Sequence, residues 1–98
     1  MNDIYKALSH PVRREILARL RQGPQTAGLL AEQFDLAKPT LSGHFSVLKQ
    51  ANLIEAERDG TSIVYHLKLS VLEEALSGAM DLFGIGAGSG ERKIETQS

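Results

Sequence analysis

A chain of 98 residues with 42% apolar content can build one small domain whose modest core gains from pairing with a second copy. The absence of cysteine excludes disulfides, thiolate metal sites and thiol redox sensing, and apolar runs of only a few residues exclude a membrane span or a signal peptide, so a cytoplasmic protein is expected. A formal charge of −1 argues against a uniformly basic nucleic-acid binder. Yet Arg13, Arg14, Arg19 and Arg21 meet only Glu15 between His10 and Pro24, and Lys38 and Lys49 meet no acid between Leu36 and Ile54, so a neutral total hides one basic face.

From Asn2 to Ser9 the spacing places Ile4, Tyr5 and Leu8 on one side of a short helix. His10 and Pro11 end it, because the residue before a proline avoids helical geometry. Pro11 then opens a second helix in which Val12, Ile16, Leu17 and Leu20 form the buried stripe and the four arginines lie mostly outside it. Arg13 and Arg14, in its first turn, are candidates for phosphate contact or for ordinary solvated charge. Gly23 and Pro24 stop the helix, and Thr26 is expected to cap a third helix reaching about Gln33, with Leu29 and Leu30 inward. Phe34 to Ala37 makes the turn.

Pro39 fits only a first helical turn, so a fourth helix begins there with Ala37 or Lys38 as a poor cap. Leu41, Phe45 and Leu48 form its apolar stripe, with Thr40, Gly43, Ser46, Val47 and Gln50 opposite. A solvated helix normally carries Glu and Lys on its outer face. This one is small and nearly uncharged, a shape suited to close approach, as when a helix meets base edges in a major groove. Two such helices joined by a short turn match the helix-turn-helix pattern, and the candidate DNA contacts are Lys38, Thr40, Ser42, Gly43, His44 and Ser46.

Leu53 to Leu67 reads as a hairpin about a type I′ turn at Asp59 and Gly60, with Arg58 facing Thr61, Ala56 opposite Ile63 and Ile54 opposite Tyr65. A helix-turn-helix followed by such a hairpin is a winged helix: a mainly α fold with a small β-hairpin wing, whose tip offers Arg58 and Thr61 to DNA. In SVLEEALSGAMDLFG, Ser70 and Glu73 stand at capping-box spacing, and Leu72, Leu76, Met80 and Phe83 form a broad apolar stripe. Burial against a second copy, together with Ile4, Tyr5 and Leu8, explains that stripe most economically. The expected domain spans residues 1–86, and the Gly- and Ser-rich, then polar, residues 87–98 read as a disordered tail.

His10, His44 and His66 fall on three different elements at spacings without ligand character, and no nucleophile and base stand together. An enzyme, a cofactor and a metal site are therefore not expected.

The segments ALSHPVRREIL, TAGLLAEQF, KPTLSGHFSVLKQANLI and DGTSIVYHL, in that order, resemble the ArsR-type winged-helix repressors over nearly everything before the tail. Within that family the likeness is greatest to the SdpR-like autorepressors, through NDIYKALSHPVRREIL and the TAG and KP segments around the turn. The resemblance implies a homodimer through the first and last helices, a recognition helix in each of two major grooves of a palindromic operator, flanking wings, and repression by blocking the promoter. Metal-sensing members carry cysteines on the helix equivalent to Thr26 to Gln33, or Asp and His ligands along the last helix, and those ligand sets are missing here. The expected partners are operator DNA and a second copy; an antagonist, whether protein or small molecule, is unidentified. The competing reading is a winged-helix module that binds protein alone, which the charge of −1 favours and salt-dependent duplex binding would eliminate.

Overall fold

A computed structural model describes residues 2–85; the expected tail at 87–98 lies outside the described residues. The elements are α1 (Asn2–Leu8), α2 (Pro11–Arg21), β1 (Gln25–Thr26), α3 (Ala27–Phe34), α4 (Lys38–Gln50), β2 (Ile54–Asp59), β3 (Ser62–Leu67) and α5 (Leu69–Leu82). This is the winged helix, mainly α with a small antiparallel sheet of strand order β1-β3-β2. No helix among the described residues is long and apolar enough to cross a membrane.

Local chemistry sets most of the boundaries. His10 caps α2 by accepting the Val12 N–H on Nδ1 at 3.0 Å, and Pro11 follows at the first helical position, where a missing N–H costs nothing. Thr26 caps α3, its Oγ1 accepting the Leu29 N–H at 3.1 Å. Asp35 closes α3 in the left-handed conformation, φ 51°, which a short Asx side chain tolerates. Helix α4 starts from Ala37 with no side-chain cap.

The core is assembled where the helix stripes meet the sheet. Ile16, Leu30, Leu41, Leu48 and Leu53 are fully buried, and the Phe45 ring packs on Tyr65 at 4.2 Å between centroids. Each such aliphatic side chain contributes about 1.5–3 kcal/mol of burial, so α4 is anchored to the domain through its inner stripe.

Several expectations are corrected. Arg13 is buried, 9% exposed, rather than outside the α2 stripe. It stands three, four and seven residues before Ile16, Leu17 and Leu20, and that spacing puts it in the middle of the buried face. Leu29 is 49% exposed while Leu30 is buried, because one residue on a helix rotates the side chain by about 100°. Val47 is half-buried, at the edge of the outer face of α4. Ser70 lies inside α5, whose N-cap is Lys68 without a side-chain hydrogen bond, so the capping box does not form. The strand β1 carries too few residues to show any alternation, and pairs Gln25 with Tyr65 and Thr26 with Val64.

The hairpin register also differs. Asp59 pairs with Ser62, Arg58 with Ile63, Ala56 with Tyr65 and Ile54 with Leu67, so the two-residue loop is Gly60-Thr61. A type I′ turn at Asp59-Gly60 would need positive φ at both, whereas here only Gly60 takes it, at 65°. That is the pattern of a II′ turn with glycine first, and it avoids strain at Asp59. The slip is by two residues, so every side chain keeps its face.

Candidate nucleic-acid interface

The inner stripe of α4 is spent on the core: Leu41, Phe45 and Leu48 are 2%, 4% and 0% exposed. What remains outward is Lys38, Thr40, Ser42, Gly43, Ser46, Lys49 and Gln50, all exposed. The helix therefore presents hydroxyls, a bare backbone and one lysine at each end, with no carboxylate anywhere along it. Gly43 stands four residues after Pro39 and three before Ser46, in the middle of this face. A Cβ added there would meet nothing within 4 Å, so no contact inside the domain calls for glycine. Hydroxyls and a glycine together let the helix axis come close to an apposed surface while still offering hydrogen bonds.

The wing stands beside it. Arg58 and Thr61 are exposed at the end of the hairpin, but they share it with Glu55, Glu57 and Asp59, also exposed. Glu57 is engaged by His66, whose Nε2 lies 2.9 Å from its Oε1. The electrostatic attraction of this edge for phosphate is accordingly modest, one arginine against carboxylates.

Of the proposed DNA contacts, Lys38, Thr40, Ser42, Gly43 and Ser46 lie together on one helix face, with Arg58 and Thr61 on the wing. His44 is half-buried at the flank of α4, its Nδ1 3.2 Å from an Arg13 terminal nitrogen. Arg13 itself points inward, with Nε donating to the Ala7 carbonyl and a terminal nitrogen to the Lys6 carbonyl, both at 2.9 Å. Its guanidinium is thus committed to the domain, which corrects the reading of it as an outward phosphate contact. Two of the histidines, expected to be scattered, also come together: the His10 and His44 ring centroids are 4.5 Å apart. Burial, then His10, then Arg13 lower the pKa of His44 below the ordinary imidazole value. Among the described residues no three of His, Asp and Glu gather as metal ligands.

Away from this surface, the apolar stripe of α5 is largely uncovered. Ala75 is buried and Val71 and Leu72 are half-buried, but Leu76 is 49% and Phe83 78% exposed, and Tyr5 on α1 is 38% exposed. Between them runs a groove of about 410 Å³ lined by Leu8, Arg14, Leu17, Ala18, Arg21, Leu72 and Leu76. Ile4 and Met80 are half-buried beside it.

Comparison with known proteins adds four findings. A helix-turn-helix domain family model matches residues 8–57. The transcriptional repressor SdpR of Bacillus subtilis is 41% identical over 86 residues, covering 88% of this chain and 96% of that protein. Among solved structures, an ArsR family transcriptional regulator superposes with TM-score 0.70 at 29% identity, over 88% of this chain and 92% of that one. The transcriptional repressor BigR from Xylella fastidiosa superposes with TM-score 0.67 at 29% identity, over 84% of each chain.

Proposed function

This chain belongs to the ArsR-type winged helix-turn-helix transcriptional repressors, and from that premise we propose that it acts in the cytoplasm as a two-fold dimer whose paired α4 helices read a palindromic operator. DNA binding and repression follow from the family; the dimer, the contacts and the operator symmetry are the proposal. The repressor would block its promoter by occupying it, its own gene being one target on this reading.

The observation that carries the reading is the outer face of α4, free of carboxylate and centred on a glycine that no packing contact requires. Its cations are few, so affinity should come from fit to base edges more than from phosphate attraction. Lys38 would donate to guanine O6 and N7, Thr40 would meet a thymine methyl or a phosphate, and Ser42 and Ser46 would bond to bases or backbone. Arg58 and Thr61 would hold flanking DNA. His44 would act mainly by holding α4 in place, and Arg13 does not enter the DNA contact set. Exposed Tyr5, Leu76 and Phe83, with half-buried Ile4, Leu8, Leu72 and Met80, support burial of α1 and α5 against a second copy. Residues 1–86 are the working unit on this reading.

The test is selection of bound duplexes by wild type and Lys38→Ala at two salt concentrations. Lys38→Ala should cost about 1–3 kcal/mol on the best operator and relax one position in each half-site, with half-sites roughly ten base pairs apart. An unchanged sequence preference and affinity would remove α4 as the reader.

A further inference from the structure

Arg13 and two histidines form a cluster that groove reading does not use. Arg13 sits on the buried face of α2 and holds the Lys6 and Ala7 carbonyls, both in the last turn of α1, where the helix supplies no N–H four residues on. Its remaining terminal nitrogen reaches His44 on α4 at 3.2 Å. One guanidinium therefore joins α1, α2 and α4. The His10 ring lies against His44 at an interplanar angle of 52°.

Both histidines serve as acceptors. An arginine N–H can only donate, so His44 Nδ1 presents a lone pair to it; His10 Nδ1 likewise accepts the Val12 N–H. In this arrangement each Nδ1 carries the lone pair and the ring N–H is at Nε2. A proton on either Nδ1 would set an N–H against an N–H, and on His44 it would also place a positive charge beside Arg13. No carboxylate offsets that charge: the titratable groups facing His44 are His10 and Arg13, α1 contributes only the Lys6 and Ala7 carbonyls, and the ion pairs among the described residues are Arg19 with Glu15 and His66 with Glu57.

From this geometry we propose that Arg13 is a positioning residue for operator binding, and that its hydrogen bond to the Nδ1 lone pair of His44, whose ring packs at a tilt against His10, seats the recognition helix so that acidification unseats it and weakens binding. The sign opposes simple electrostatics, in which a protonated histidine on a recognition helix strengthens phosphate attraction. Stability moves the same way. The unfolded chain takes up a proton on residue 44 below the ordinary value of 6.5, which the folded state resists, so stability is full above that pH and is lost as pH falls from there toward the lowered folded value. The inference rests on α4 being the reader.

The experiment measures full-length protein binding to a fluorescein-labelled duplex of the selected operator at about pH 7.5 and about pH 5.5, at matched ionic strength, across the histidine range. Wild type should lose roughly fivefold or more in affinity at the lower pH, the low end of ordinary coupling between sites. His10→Asn and His44→Asn keep a side-chain acceptor near Nδ1 but cannot be protonated, so each should flatten the ratio between the two pH values, and the double variant should nearly abolish it. Arg13→Lys, which keeps the charge but cannot span three partners, should weaken operator binding and flatten the profile; should it not fold, the histidine variants decide. Nitrogen-15 spectra of the imidazoles should show both rings as Nε2–H tautomers at neutral pH. An affinity that rises or stays level on acidification, asparagine variants with the wild-type ratio, or an Nδ1–H tautomer at His44 would each overturn the inference. Lys38→Ala run in parallel separates the two ideas: if it changes nothing, α4 is not the reader, whereas if it weakens binding and the pH profile is flat, only the positioning role fails.

Discussion

Gly43→Ala tests the recognition surface with a single methyl group whose effects on folding and on binding should have opposite signs. Gly43 lies in the interior of α4, six residues into a helix of 13, and a Cβ there would meet nothing within 4 Å. With no steric cost, the substitution should show the full helix-propensity difference, about 1 kcal/mol in favour of alanine. For a domain of this size that corresponds to a rise of about 4–8 °C in Tm, measured by circular dichroism at fixed protein concentration. The same methyl would stand in the middle of the face proposed to meet the groove. If the interface there is packed like a protein interior, inserting it should cost about 1–3 kcal/mol of operator affinity, read by fluorescence anisotropy. Binding to a random duplex should change little, because non-specific contacts do not press this face against base edges. A lowered Tm would refute the placement of Gly43 on an unobstructed helix face. A raised Tm with unchanged operator affinity would refute the close approach.

Leu76→Asp should yield monomers in sedimentation at micromolar concentration, since a carboxylate in the α5 stripe forbids its burial against a second copy; a dimer that persists would place the interface elsewhere. Arg58→Ala should lower affinity for all sequences together and flatten the log–log salt slope by about 0.9 per arginine, measured by titration at several salt concentrations. Equal slopes would mean that the wing touches no phosphate. Thr26→Ala should cost about 1 kcal/mol in urea unfolding by freeing the Leu29 N–H at the start of α3, and a null effect would show that water satisfies this group equally well. Operator binding with zinc and with chelator should coincide, and a tenfold difference would reveal a site built across two copies.

The helices and most of the outer face of α4 were legible in the sequence because their determinants are local. His10-Pro11, Thr26 and Pro39 mark starts by what their own atoms can or cannot bond, and the recurrence of Leu41, Phe45 and Leu48 places Gly43 and Ser46 outward whatever the helix packs against. The hairpin's faces were legible for the same reason, since alternation survives a slip of two residues; its register was not, because it depended on which of two turns left Asp59 unstrained. The strand β1 exists only because β3 is there to pair with it. Arg13 is the clearest case. Its position on the stripe was visible in its spacing to Ile16, Leu17 and Leu20, but an arginine is placed inward only if acceptors wait for it. Those acceptors, the Lys6 and Ala7 carbonyls and the ring of His44, lie on two other helices, 7, 6 and 31 residues away along the chain. Composition and periodicity determined which surfaces this protein has; the packing of α1 and α4 around one guanidinium decided that this charge is taken inside rather than left on the surface.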